Sequence, residues 1–259
     1  MIDTHAHLTG RWRRDPERIK RDCLAVGVKA VVLAASNLEE SQENVRLGAK
    51  FSGFYLAATG VHPQQTDPEN LDSLDKQLKE LGEIVKMGGA IAVGETGLDY
   101  SPAPDGEKDR DKGEQEKLFR GQIEISLKYG LPLIVHARQA VSEVIEILRE
   151  YRGVKGVFHC WAGGKKRLKG AIETGFYFGI DGNITYEDGL VEVVREIPRE
   201  RLLLETDSPF LTPVPRRGKE NSPAYLPLIL EKISQIWGVN IGEAEKITEE
   251  NTSKLFWLK

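Results

Sequence analysis

Two cysteines in 259 residues, Cys23 and Cys160, are too few for a disulfide framework and point to free thiols in a reducing compartment, the cytoplasm. Long apolar runs are missing as well. Stretches such as Ala30 to Ala35 fall far short of the ~20 residues a bilayer-spanning helix needs, so membrane insertion is not expected. No charged and apolar leader precedes His5, so no signal peptide is expected either. Positive charge is not in excess: 36 Lys and Arg stand against 40 Asp and Glu, a net charge of −4. That excludes a polycation that would cling to nucleic acid through overall charge, and any polyanion must be caught locally. A glycine-rich G-x-G-x-x-G turn after an early strand is also absent, which removes the main signal for a doubly wound dinucleotide fold.

What the chain does contain is alternation. Short β-branched or apolar runs occur at Met1 to Thr4, Lys29 to Ala34, Tyr55 to Thr59, Ala90 to Gly94, Leu131 to Val135, Val154 to Phe158, Phe176 to Ile180 and Leu202 to Leu204. Amphipathic stretches separate them: Pro16 to Val26, Glu39 to Lys50, Leu71 to Met87, Gln115 to Tyr129, Ala140 to Tyr151, Lys165 to Thr174 and Gly189 to Glu196. Asp15 before Pro16 reads as an N-cap with proline at the first helical position, and Gly27, Gly130 and Gly175 stand where helices end. After a long loop from Thr206 to Pro223, two further helices are expected at Ala224 to Trp237 and Glu243 to Leu258, the second opening from Asn240. Eight strand–helix units with no break in composition predict a closed eight-stranded parallel β/α (TIM) barrel, with residues 1–259 forming one domain. The charged stretch Pro104 to Glu116 reads as one long loop on the active face.

All five histidines, His5, His7, His62, His136 and His159, fall at or just beyond the C-terminal end of an expected strand. Glu95 ends the fourth strand and Asp207 follows the eighth. In a barrel these ends share one face, the face where active sites of this fold lie. The His5-Ala6-His7 spacing puts both imidazoles on one side of an extended segment. Neutral imidazoles mixed with carboxylates suit divalent ions such as zinc, manganese, iron or cobalt, with magnesium also open. His5, His7, Glu95, His136, His159 and Asp207 are more ligands than one open catalytic ion uses, which predicts two ions and a bridging carboxylate. His62 fits a ligand, a substrate contact or a structural turn residue equally well.

The ordered set of motifs resembles the TatD family of metal-dependent deoxyribonucleases, a branch of the amidohydrolase-like barrel enzymes. The resemblance spans the chain, through Ile2-Asp3-Thr4-His5-Ala6-His7-Leu8, Gly60-Val61-His62-Pro63, Val93-Gly94-Glu95-Thr96-Gly97-Leu98-Asp99, Leu131 to Arg138, Phe158-His159-Cys160 and Leu204-Glu205-Thr206-Asp207-Ser208-Pro209. It implies phosphodiester hydrolysis, often from a DNA end as in a 3′-5′ exonuclease, with two divalent ions. It also implies roles: His5 and His7 for the first ion, His136 and His159 for the second, Glu95 as the bridge, and Asp207 as a first-ion ligand that handles the proton of the attacking water. The sequence departs from the family pattern at Gln64, where a polar aromatic residue often follows His-Pro, and at Trp161-Ala162-Gly163, where Phe-Ser-Gly is usual. The indole of Trp161 is set either to stack on a base or sugar or to pack beneath its loop.

DNA as substrate requires local positive charge, and three basic clusters follow ligand-bearing strands: Arg11, Arg13 and Arg14; Lys165, Lys166, Arg167 and Lys169; and Arg216, Arg217 and Lys219. Arg217 and Lys219 are the expected phosphate contacts, whereas Lys165 fits the outer face of a helix. Two other readings stand beside the nuclease. Related barrels open amides, lactones, esters or aminoacyl-tRNA links with similar centres, although no lysine takes the bridging place held by Glu95. The other is a metal-holding scaffold without chemistry, against which an unspent Asp207 carboxylate speaks.

Overall fold

The computed structural model describes residues 1–9, 13–66, 72–103 and 110–258. Its strands are β1 (Ile2–Ala6), β2 (Ala30–Leu33), β3 (Tyr55–Thr59), β4 (Ala90–Asp99), β5 (Leu133–Arg138), β6 (Gly156–Phe158), β7 (Tyr177–Ile180) and β8 (Leu202–Leu204). The helices are α1 (Pro16–Ala25), α2 (Leu38–Lys50), α3 (Asp72–Met87), α4 (Lys112–Tyr129), α5 (Val141–Glu150), α6 (Gly164–Glu173), α7 (Asp188–Val194), α8 (Leu226–Trp237) and α9 (Ile241–Phe256). All neighbouring strands pair in parallel and in sequence order, from β1 round to β8. The expected caps form: Asp15 accepts a hydrogen bond from the Arg18 amide at 3.0 Å, and Asn240 accepts one from the Glu243 amide at 2.9 Å. No helix among the described residues is long and apolar enough to cross a membrane.

The ring closes differently from a continuous ladder. Between β8 and β1 there is a single bridge, Ala6 to Ser208, flanked by His7 N–H donating to Ser208 O at 2.7 Å and Asp207 N–H donating to His5 O at 2.9 Å. Side chains complete the seam. The Asp3 carboxylate accepts from Thr206 N–H (3.0 Å), the Thr206 hydroxyl (2.6 Å) and His5 N–H (3.2 Å), while the Thr4 hydroxyl donates to Leu204 O at 3.0 Å. Burial pushes the Asp3 carboxyl up to about 7 despite these donors, with Glu205 adding repulsion. The seam therefore fixes the backbone of His5, His7 and Asp207 in one hydrogen-bonded unit.

Two apolar layers support the ring. Between strands and helices, Val31, Leu33, Val93, Val135 and Phe158 meet Ile19, Leu118, Phe119, Ile123, Val144 and Ile229. Inside the ring, Val32, Ala58, Ala92, Ile134, Val157 and Leu203 fill the lumen, and Leu255 and Phe256 at the end of α9 plug its lower end.

Three strands run further than the sequence suggests. β1 continues to Ala6, β5 to Arg138, and β4 to Asp99, where the sequence places an end at Gly94. The reason in β4 is that its glycines are packing devices and not stops. A Cβ on Gly94 would lie 2.6 Å from Ile134 Cβ, and one on Gly97, held at φ 135°, would lie 2.0 Å from His136 O. β4 thus presses against β5 and keeps pairing, Gly97 with His136 and Asp99 with Arg138. Helix α4 begins at Lys112, capped by Asp111 onto the Glu114 amide at 2.9 Å, so the expected loop to Glu116 ends earlier; its residues 104–109 lie outside the described residues. The expected helix start at Leu71 also lies outside them.

Candidate metal centre

The two-residue period of the strands lifts the site out of the apolar lumen. Stepping two residues toward the C-terminal end, Ile134 leads to His136, Val157 to His159 and Leu203 to Glu205. Glu95 breaks this parity, because Ala92 already faces the lumen three positions earlier. The β4–β5 register shifts between Val93 and Thr96, and that extra residue re-aims the Glu95 side chain inward. A buried carboxylate among five imidazoles is the result: Glu95 is 3 % exposed.

Its two oxygens serve two clusters. Oε2 lies 3.7 Å from His5 Nε2 and 3.5 Å from His7 Nε2. Asp207 Oδ1 completes this first cluster at 3.6 Å and 3.7 Å from the same nitrogens, which stand 3.1 Å apart. Four donor atoms bound at about 2.1 Å around one tetrahedral ion would be separated by about 3.4 Å. The observed spread of 3.1–3.7 Å brackets that edge, and most of these contacts are too long for direct hydrogen bonds. Burial, reinforced by the neighbouring imidazole of His159, holds His5 well below the usual histidine range; burial likewise lowers His7. Both rings therefore offer neutral lone pairs.

In the second cluster, Glu95 Oε1 lies 2.8 Å from His136 Nδ1, 2.9 Å from His159 Nε2 and 3.7 Å from His62 Nε2. Here the His136–Glu95 contact is a charge-assisted hydrogen bond and the His159–Glu95 contact a close ion pair, and a cation among them needs a widening of a few tenths of an ångström. Burial alone would lower both histidines. His136 is nevertheless raised by its bonds to Asp99 and Glu95, and His159 by Glu95 and Glu205. Burial opposes ionisation of Glu95, but His159, His62 and His136 together hold it well below the usual carboxylate range. Asp207 moves the opposite way, pushed well up by burial and by the nearby acids Glu95, Glu205 and Asp181 against the pull of His159.

This donor set fits divalent ions. Crowded carboxylates of this kind are relieved by cations, and the ring tautomers agree. With the Nε2 atoms of His5 and His159 turned to the clusters, their Nδ1 atoms must carry hydrogen; both are buried without a hydrogen-bond partner, as is Glu205 Oε2. Glu205, fully buried, lies beside them: its Oε1 accepts from Cys160 N–H at 2.5 Å and stands 3.4 Å from His159 Nδ1, close but without hydrogen-bond alignment.

All six expected ligands converge at this mouth. His62 joins them at the edge, its ring 4.5 Å from that of His136. His62 Nδ1 accepts from Gln64 N–H at 3.1 Å, so the hydrogen sits on Nε2 and faces the second cluster as a donor. Burial pushes this imidazole down to about 4, against the pull of Glu95. Trp161 is not an open platform. It is 5 % exposed and packs edge-on to Phe158 and Phe178, so the expectation of stacking on a substrate is corrected to packing beneath the loop. Arg217 and Lys219 are exposed on the eighth loop, with the Arg217 guanidinium 3.8 Å over the Tyr186 ring. Arg216 turns away, over Tyr225, into a groove of about 760 Å³ between α1 and α8 that no mouth residue lines. Lys165 pairs with Glu196 (2.8 Å) and Glu192 (3.7 Å) on the outer surface, and Arg13 pairs with Glu39 and Glu43. Arg11 lies outside the described residues.

Three site residues carry no role in the sequence reading: Asp99, Glu205 and Phe210. Asp99 Oδ2 lies 3.2 Å from His136 Nε2 and accepts from the Gln64 amide group at 2.8 Å, which gives Gln64 a function at the position where the family pattern is broken. The available signal was spacing, since Glu205 stands two residues before Asp207 and Asp99 four after Glu95.

A parallel barrel with imidazoles and carboxylates gathered around cation-sized gaps at its C-terminal mouth has the architecture of a metal-dependent barrel hydrolase. Residues 2–257 match the family described as TatD related DNase. Relatives include the uncharacterized metal-dependent hydrolase YabD of Bacillus subtilis, 33% identical with 99% of this chain and 98% of the relative covered. The 3'-5' ssDNA/RNA exonuclease TatD of Edwardsiella piscicida is 30% identical over the full length of both chains (100% and 100%). Deoxyribonuclease TATDN3 of Homo sapiens is 29% identical, covering 99% of this chain and 94% of the relative. Among solved structures, the TatD homolog YJJV of Escherichia coli superposes with a TM-score of 0.89 at 24% identity, over 100% of this chain and 98% of that one. The chain belongs to the TatD-related DNase family.

Proposed function

We propose that this protein is a two-metal-dependent deoxyribonuclease of the 3′-5′ exonuclease type, with residues 1–259 acting as one catalytic unit in the cytoplasm. The observation that carries the reading is the division of one carboxylate, Glu95, between two donor clusters, Oε2 facing His5 and His7 and Oε1 facing His136 and His159. His5, His7, Asp207 and Glu95 would hold one zinc, manganese or magnesium ion, and Glu95, His136 and His159 the other. Two such ions, when bound, supply Lewis-acid activation of water and charge neutralisation at the phosphoryl oxygens.

The chain's own groups perform the remaining work. Asp207 Oδ1 is engaged with His5 and His7, which leaves Oδ2 to take the proton of the attacking water. His62 donates from Nε2 to a phosphoryl oxygen, held in that tautomer by the Gln64 amide. Asp99 and Glu205 steady His136 and His159 from behind. On a molecule of net charge −4, Arg217 and Lys219 of the eighth loop provide local attraction for the DNA backbone. The nuclease names of the Edwardsiella piscicida and human relatives support this choice of substrate.

A panel of labelled single-stranded DNA, RNA, phosphomonoester and simple ester or amide substrates, assayed with Mg, Mn or Zn after chelation, tests the proposal. Metal-restored cleavage of DNA is the expected outcome. Turnover confined to amide or carboxylic-ester substrates would overturn the nuclease reading.

A further inference from the structure

Phe210 is 56 % exposed, yet it is among the most firmly seated residues of the eighth loop. Its N–H donates to Asp207 O at 2.8 Å, and its carbonyl accepts from Asn221 Nδ2 at 2.5 Å. Asn221, fully buried, also donates from its side chain to Thr206 O at 2.8 Å, and its backbone N–H donates to Pro209 O at 3.0 Å. Asp207 and Leu211, both at φ 52°, bracket the turn. A ring left in water forgoes a hydrophobic gain worth about 1.5–3 kcal/mol on burial, so an aromatic side chain clamped in the open is a surface kept for something else to cover.

Its position says what. The Phe210 ring stands 6.2 Å from the His7 ring, edge to face at 69°, beside the cluster that also contains Asp207. Stacking between Phe210 and a flat ring of a substrate therefore places that ring's attached group next to the reacting centre. Trp161, two residues after His159, is packed away and offers no such face.

We propose that Phe210 is the stacking platform for the base that flanks the scissile phosphate at a strand end. This inference rests on the nuclease reading. A base inside a duplex is already stacked on both faces, whereas a base at a frayed or single-stranded end has one free. Because every base presents a π-face, the contact grips without reading sequence. The hydrogen bonds of the turn fix the backbone that carries the ring, so little backbone freedom is lost on binding.

The test is steady-state cleavage of two labelled single-stranded oligodeoxynucleotides, one with a normal terminal residue and one abasic there, by wild type, Phe210→Ala and Phe210→Trp. Base–aromatic stacking of about 1–3 kcal/mol corresponds to a loss of about 5- to 150-fold, expected in KM for Phe210→Ala on the intact strand. On the abasic strand, which wild type already binds less tightly, Phe210→Ala should add no further loss, and Phe210→Trp should restore the intact-strand KM. Equal losses on both strands, or none on either, would overturn the role of Phe210 while leaving the nuclease reading in place. Absence of cleavage of any oligonucleotide by wild type would instead remove the nuclease reading, and this inference with it.

Discussion

The two halves of the barrel lumen are built on the same strands and obey opposite rules. The lower half is Val32, Ala58, Ala92, Ile134, Val157 and Leu203, all fully buried, closed below by Leu255 and Phe256. Shape and volume are the whole requirement there, and a neighbour of similar size would serve. Two residues further along the same strands stand His136, His159 and Glu205, titratable groups packed against one another, where a change of one atom leaves a buried charge uncompensated. The lower half contributes stability. The upper half draws on it to hold carboxylates out of water beside one another: burial first, and neighbouring acids after it, raise Asp207 and Asp3. Function sits where the fold is electrostatically unfavourable by itself, in a donor set suited to cations.

Substitutions in each half should separate rate from stability. Asp207→Asn removes the proton acceptor and is expected to lower kcat by about 10²- to 10⁴-fold with little change in Tm. A near-normal rate from that variant would contradict the assignment. Ile134→Ala does the reverse: it opens a cavity in the lower half and is expected to cost about 2–5 kcal/mol in urea unfolding while metal affinity at the mouth persists. Loss of metal binding without loss of stability would show that the halves are not separable. Glu205→Gln keeps the volume but weakens the acceptor beside His159 and His5. Metal affinity measured by chelator competition should fall about 10- to 100-fold, and an unchanged affinity would make Glu205 a spectator.

The smallest effect lies at the bottom of the barrel. Burial disfavours the Glu249 carboxylate, but Lys29 Nζ at 2.6 Å and the N-terminal ammonium hold it below its usual range. Because its folded value is depressed, this pair's stabilisation is present above the ordinary Glu value of ~4.3 and fades as pH falls through the lower folded value. Glu249→Gln should cost less than about 1 kcal/mol at pH 7 and less again at pH 3, measured by denaturant titration at both.

The same contrast explains what the sequence reveals. Hydrophobic spacing suffices for strands, helices and their caps, so Asp15 and Asn240 do in the structure what their neighbours in sequence require. His5-Ala6-His7 declares itself because two imidazoles two residues apart face one way on any strand. The rest depends on tertiary facts. Gly94 and Gly97 read as the end of β4, yet they allow it to press against β5 and continue to Asp99. Glu205 stands two residues before Asp207 in sequence, but only the fold shows it buried beside His159. Trp161 and Phe210 compete for one role, and only the packing of Phe158 and Phe178 around Trp161 decides which ring stays open. Lys165 follows a ligand-bearing strand, but the helix turns it outward to Glu196.

The central claim is that one carboxylate joins two ion sites, and counting ions tests it most directly. Metal analysis of wild type and Glu95→Gln, after chelation and equilibration with Zn or Mn, should give two ions per chain for wild type. For the variant, affinity should be lost at both sites together. A wild-type stoichiometry of one, or a variant that loses a single ion and keeps the other at full affinity, would contradict a shared Glu95.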